Sequence, residues 1–102
     1  MAVKVGILAR LRAKPGKENE VQKLLEGALP LAQAERQTQV WFAIKIGPRE
    51  FGIFDAFPDE SGRKAHLSGQ IASALMAKAP ELLSEPPQLE QVDVLAAKIT
   101  TG

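Results

Sequence analysis

One histidine, one tryptophan and neither cysteine nor tyrosine bound the chemistry open to this chain of 102 residues. His66 is the single imidazole that can act as a general base or as a donor orienting a phenolic oxygen. It also stands on a short predicted helix that ends at Gly69, where a capping or packing histidine is equally at home. Without cysteine there are no thiolate nucleophiles, disulfides or Cys-ligated zinc and iron–sulfur centres. A lone histidine excludes any site that needs two imidazoles from one chain. Gly-rich phosphate loops, a nucleophile elbow and metal-spaced histidine clusters are absent as well. The expectation is a site with no metal.

Four other residues join His66 in the candidate constellation. Trp41 and Phe54 are predicted on one sheet face with Ala43, Gly52 and Ala56. Large aromatics beside small residues leave room for a flat ligand, since binding sites are mostly apolar with few polar groups. Leu24, Leu25, Leu75 and Met76 from the helices fill such a space equally well, which makes the aromatics core. Arg10 and Asp55 fall on the other predicted face. Opposite charges on an apolar face read as an ion pair that specifies how two copies meet more than it adds stability. A catalytic Asp55 is the less direct reading.

The elements that position these residues follow from periodicity. Val3, Val5, Ile7, Ala9 and Leu11 alternate with Lys4, Gly6, Leu8, Arg10 and Arg12, which predicts a strand. Lys14-Pro15-Gly16 ends it in a type II turn, with Gly16 taking positive φ. Val21, Leu24, Leu25, Ala28 and Ala32 form one helical stripe, kinked or ended near Pro30. Gln39 to Ile46 reads as a strand apolar on both sides, joined through Gly47-Pro48-Arg49-Glu50 to a third, Phe51 to Phe57. A four-residue loop pairs Ile46 with Phe51, Ile44 with Ile53 and Phe42 with Asp55. Asp59 then caps a helix over 60–68, a second runs over 70–79 and stops at Pro80, and Leu89 to Ile99 is the last strand.

The order β-α-β-β-α-β with right-handed crossovers predicts an α+β, ferredoxin-like fold, a four-stranded antiparallel sheet with all helices on one face. Residues 1–102 make one domain. Phe42, Ile44, Ile53 and Phe57 are then left without a helix, and a second copy of the same sheet is the simplest cover, so a homodimer is expected. With 13 basic against 12 acidic residues the chain lacks the basic excess of a nucleic-acid binder. No apolar run is long enough to span a membrane, and Val5 to Ala9 is too short for a signal-peptide core, which makes the cytoplasm the default address.

Taken in order, Val5 to Gly16 with its Ala-Lys-Pro-Gly ending, the late Pro30, Trp41, Ile53-Phe54-Asp55-Ala56-Phe57, Asp59-Glu60, Ala65-His66-Leu67 and Asp93-Val94-Leu95-Ala96 resemble the antibiotic biosynthesis monooxygenase family. The resemblance covers nearly the whole chain. It implies a homodimer whose two sheets close into an α+β barrel, and a pocket between sheet and helices. It also implies oxidation of a quinol or polycyclic phenol by molecular oxygen without metal or flavin. His66 is then the catalytic residue, with Trp41, Phe54, Ala9 and Met76 against the substrate. A non-catalytic module that binds or sequesters a small molecule on the same dimeric fold is the alternative. The chain departs from the family at Glu35-Arg36-Gln37, where many relatives have a Glu-Pro-Gly turn, and at Ile71, where quinol-oxidising members often carry a second histidine. Haem-degrading relatives place Asn, Trp and His where Ala9, His66 and Met76 stand.

Overall fold

In the computed structural model, which describes residues 3–100, alternation and helical stripe produce the expected order with two helices in each crossover. The elements are β1 (Val5–Arg12), α1 (Glu18–Gly27), α2 (Leu29–Ala34), β2 (Val40–Lys45), β3 (Glu50–Phe57), α3 (Glu60–Leu67), α4 (Gln70–Leu82) and β4 (Gln88–Asp93). The strands form one antiparallel sheet in the order β2-β3-β1-β4. This is the ferredoxin-like α+β fold.

Local chemistry explains most boundaries. Gly16 sits at φ 86°, and Lys17 N–H closes the turn onto the Lys14 carbonyl at 2.9 Å. Pro30 does not kink a continuous helix. It occupies the first turn of α2, where a missing N–H costs nothing. Asp59 caps α3 by accepting from Gly62 N–H at 3.0 Å. Pro80 does not stop α4, which runs on to Leu82. It lies in the last turn, and the following carbonyl-to-amide bond from Leu83 N–H to Ala79 survives at 2.9 Å. β4 ends at Asp93, six residues short of the expected Ile99. Val94 makes one more bond to Lys4, and Leu95 is 96% exposed.

The β2–β3 register differs from the expected one by a single residue. Ile46 N–H and Gly47 N–H both donate to the Glu50 carbonyl, at 2.8 and 3.1 Å. This extra residue on the β2 side pairs Lys45 with Phe51, Ala43 with Ile53, Trp41 with Asp55 and Phe42 with Phe54. A one-residue slip exchanges the faces of a strand. Ile53, Asp55 and Phe57 therefore lie under the helices, all buried, and only Phe42 and Ile44 of the four expected open-face residues are exposed. The core joins Ala9, Leu11, Phe51 and Ile53 of the sheet to Val21, Leu25, Leu75, Ala79 and Leu82 of the helices, with Leu24 and Trp41 packed against it.

Among the described residues, no helix is long and apolar enough to cross a membrane.

Candidate functional site

Three elements bring His66 between two carboxylates. α3 carries the ring inward, where it is 7% exposed and tilted against Phe57 with centroids 5.2 Å apart. β3 supplies Asp55, whose Oδ2 lies 2.9 Å from Nε2. The segment after α2 supplies Glu35, whose Oε1 lies 2.7 Å from Nδ1. Both ring nitrogens thus face an acceptor at hydrogen-bond distance. A neutral ring would turn one lone pair toward a carboxylate, so the geometry favours the doubly protonated imidazolium. Burial works against the charged ring. The hydrogen bonds with Asp55 and Glu35, and then the charges of those carboxylates, outweigh it and raise the pKa from 6.5 to about 8.

Close packing holds this arrangement. Thr38 Oγ1 donates to the same Glu35 Oε1 at 2.6 Å. A Cβ on Gly69 would stand 3.0 Å from Glu35 Oε2, and one on Gly62 would stand 3.2 Å from Gln37 and Phe57. The two glycines therefore let the 35–38 segment approach α3 and the start of α4. Gly62 lies within α3 and serves that approach. Arg63, also buried, ties α3 to the sheet by donating to the Gly6 and Val92 carbonyls at 3.1 and 3.2 Å, while Glu60 holds its other nitrogens. The ring of His66 does not cap its helix. Its backbone carbonyl does so, accepting from Gly69 N–H at 3.0 Å.

Space lies on both sides of the ring. On the sheet side is an apolar cavity of about 50 Å³, lined by Ala9, Ile53, Asp55, His66, Leu75, Met76 and Leu89, among others. On the outer side is an open cleft of about 610 Å³ between the 34–38 segment and α3, lined by Leu31, Glu35, Arg36, Gly62 and His66, among others. Three buried polar atoms, Asp55 Oδ1, Glu35 Oε2 and Trp41 Nε1, find no hydrogen-bond partner among the described residues. Buried polar groups are seldom left so. Among those residues, no group of three or more His, Cys, Asp or Glu side chains is placed to hold a metal ion.

Of the residues singled out from sequence, His66, Ala9 and Met76 meet around the inner cavity. Trp41 shares the helix-side face and sits across from Asp55, but packs into the core beside the cavity. Phe54 is on the opposite face, paired with Phe42 and Leu8, and does not reach the cavity. Arg10 and Asp55 are not an ion pair. They occupy opposite faces of the sheet, Arg10 exposed and Asp55 1% exposed. Glu35 was noticed only as part of an altered turn. One signal pointed to it: counting three residues on from Ala32 continues the buried stripe of the preceding helices to position 35.

The same backbone recurs in a crystal structure of NE2512, a protein of unknown function from Nitrosomonas europaea. The two chains are 57% identical, with 98% of this chain and 97% of that one covered at a TM-score of 0.95. This chain belongs to the NE2512 family. More distant structures share the fold alone. Rv0793 from Mycobacterium tuberculosis is 18% identical over 92% of this chain and 97% of its own, with a TM-score of 0.81. A Nitrosomonas europaea protein described as a candidate antibiotic biosynthesis monooxygenase is 11% identical over 93% of each chain, with a TM-score of 0.81. No protein-family model matches the chain, and no curated protein matches it.

Proposed function

We propose that the protein is a cofactor-independent monooxygenase that oxidises a small electron-rich phenol or quinol with molecular oxygen. The observation that carries this reading is the buried Asp55–His66 pair on the wall of an apolar cavity. Its placement between sheet and helices, and a distant fold neighbour described as a candidate monooxygenase, support the reading. In such chemistry the substrate itself reduces oxygen once it is ionised. The protein's part is to take the proton and keep water out. Since both nitrogens of His66 are engaged, the basic atom left for a substrate hydroxyl is Asp55 Oδ1, with His66 holding the other carboxylate oxygen. One atom of oxygen enters the ring and the other leaves as water.

An apolar cavity of about 150 Å³ is needed for a benzene ring, so substrate entry must widen the present space of about 50 Å³. Met76 and Leu89, half exposed at its rim, are the side chains to move, and methionine yields readily. We also propose a homodimer through the open sheet face, where Phe42 and Ile44 stand uncovered. A binding or sequestering protein on the same fold is the second reading, favoured by the outer cleft, which admits a ligand without rearrangement.

Oxygen uptake across a panel of quinols and polycyclic phenols separates the two. The monooxygenase reading expects uptake that falls ~10²–10⁴-fold in His66→Ala per folded molecule. Saturable binding of the same compounds with no oxygen consumed would leave the binding protein. The dimer is read by sedimentation equilibrium, where a clean 11.0 kDa species refutes it.

A further inference from the structure

The inner cavity is polar at one end only. Asp55 and His66 form that end, and both are buried. The rest of its wall, among the described residues, is aliphatic, alanine, proline or methionine, without a second charge. Its other end opens between α4 and β4, where Met76 is 55% and Leu89 49% exposed, with Pro87 half-buried beside them. We propose that the substrate is a single-ring phenol or quinol with an apolar tail opposite the reacting hydroxyl, the tail lying over Met76 and Leu89. This rests on the reading of the cavity as the place where a phenolic hydroxyl is ionised, and narrows the substrate class.

The register of the sheet sets the length of such a ligand. Asp55 and Ile53 belong to β3, and Ile53, Ala9 and Leu89 stand side by side across β3, β1 and β4. Two strand spacings, about 10 Å, therefore separate the acidic end from the rim. A single phenol ring is shorter than that. It covers Ala9, the smallest side chain on the path, and atoms attached to its far side fall on Leu89 and Met76.

The volume agrees. The cavity holds about 50 Å³, against about 150 Å³ for one benzene-sized occupant. Fused rings would raise that demand beneath Ile71 and Leu75, which are buried. A tail instead places its bulk at the rim, where the space already opens to solvent. Covering two large apolar side chains that stand half exposed is favourable in itself. A charged tail would find no partner on this wall, so the class is lipophilic at one end and phenolic at the other.

Calorimetric titration with 4-alkylphenols, from methyl to hexyl, reads the tail without turnover. A fully buried methylene is worth about 4-fold in affinity, so a half-open rim should give about 2-fold for each. The hexyl compound is then expected to bind on the order of 30-fold tighter than the methyl one, at one site per chain. A carboxylate at the end of a tail of matching length should abolish the gain. The double variant Met76→Gln, Leu89→Gln changes two exposed positions, and should cut the hexyl-to-methyl ratio to about 5-fold or less. A flat series, a ratio that survives the double substitution, or tighter binding of the fused-ring 2-naphthol than of the hexyl compound overturns the proposal. So does a lack of binding by every phenol. Binding that depends on tail length, with no oxygen consumed by any alkylated quinol, sinks the monooxygenase reading and leaves the tail site standing. Oxygen uptake with quinols that is indifferent to tail length does the reverse.

Discussion

The two faces of the sheet carry similar side chains and meet different surroundings. Under the helices, Ile53, Phe57 and Leu11 are buried in the core, and the charged Asp55 is buried with them because His66 answers it. On the open face, Phe42 is 58% exposed and Ile44 remains uncovered, while Arg10 reaches water and Arg12 meets Glu50 at the surface, 3.6 Å away. Burial turns a carboxylate and an imidazole into an obligatory pair. Exposure leaves aromatic and branched side chains of β2 uncovered. The same residue types therefore have different consequences on each side, and substitutions reveal which side is which.

The largest contrast is between Ile53→Asp and Phe42→Asp. Ile53 is 4% exposed beneath the helices, and an unpaired carboxylate there costs several kcal/mol, enough to unfold a domain of this size. Circular dichroism and urea denaturation should find Ile53→Asp unfolded. Phe42→Asp should leave the fold of the single chain within about 0.5 kcal/mol of wild type and give monomers by sedimentation. If Phe42→Asp instead unfolds the chain and Ile53→Asp tolerates the charge, the faces are reversed.

Breaking the buried pair comes next. His66→Ala leaves Asp55 and Glu35 facing a void without the cation between them, and breaking such a pair costs about 3–5 kcal/mol when fully buried. Glu35 is part exposed, so the lower end, about 3 kcal/mol, is expected in denaturant titrations. A loss under about 1 kcal/mol would mean that the carboxylates are solvated.

The ring also makes stability depend on pH. Its folded-state pKa, about 8, lies above the ordinary 6.5. The stabilisation is therefore complete below about pH 6.5 and is lost as pH rises through about 8, worth roughly 1–2 kcal/mol. Urea midpoints measured from pH 6 to 9 should fall, and His66→Gln should flatten the profile. A wild-type midpoint that rises over that window would contradict the imidazolium.

The smallest effect tests the packing around Glu35. A methyl on Gly69 would press on Glu35 Oε2 at 3.0 Å. Gly69→Ala should cost about 1 kcal/mol and lower the titration midpoint of His66 seen by NMR as the carboxylate is pushed away. An unchanged midpoint would show that Glu35 does not hold the ring in place.

Much of the fold was legible along the chain because local chemistry decides it. Period-two alternation from Val5 to Leu11, the stripe through Val21, Leu25 and Ala32, the Pro15-Gly16 turn and the Asp59 cap each act over a few residues and are independent of the rest. The order of elements then leaves few ways to fold, and the ferredoxin-like sheet is one that covers the helical stripes. The single histidine also stood out by its type alone.

The faces of β2 and β3 were decided only in three dimensions. β2 is apolar on both sides, so its pattern does not distinguish one register from the next. One extra residue at Ile46-Gly47, accommodated by two amides sharing the Glu50 carbonyl, set the choice and moved Asp55 from the open face to the core. Glu35 and Asp55 lie 31 and 11 residues before His66 in sequence, and only the packing of the 35–38 segment against Gly62 and Gly69 closes that distance. A charge placed in a strand is a local fact. Which ion it meets depends on loop length, on the glycines that allow close approach and on the free energy of leaving it alone, and those are properties of the folded chain.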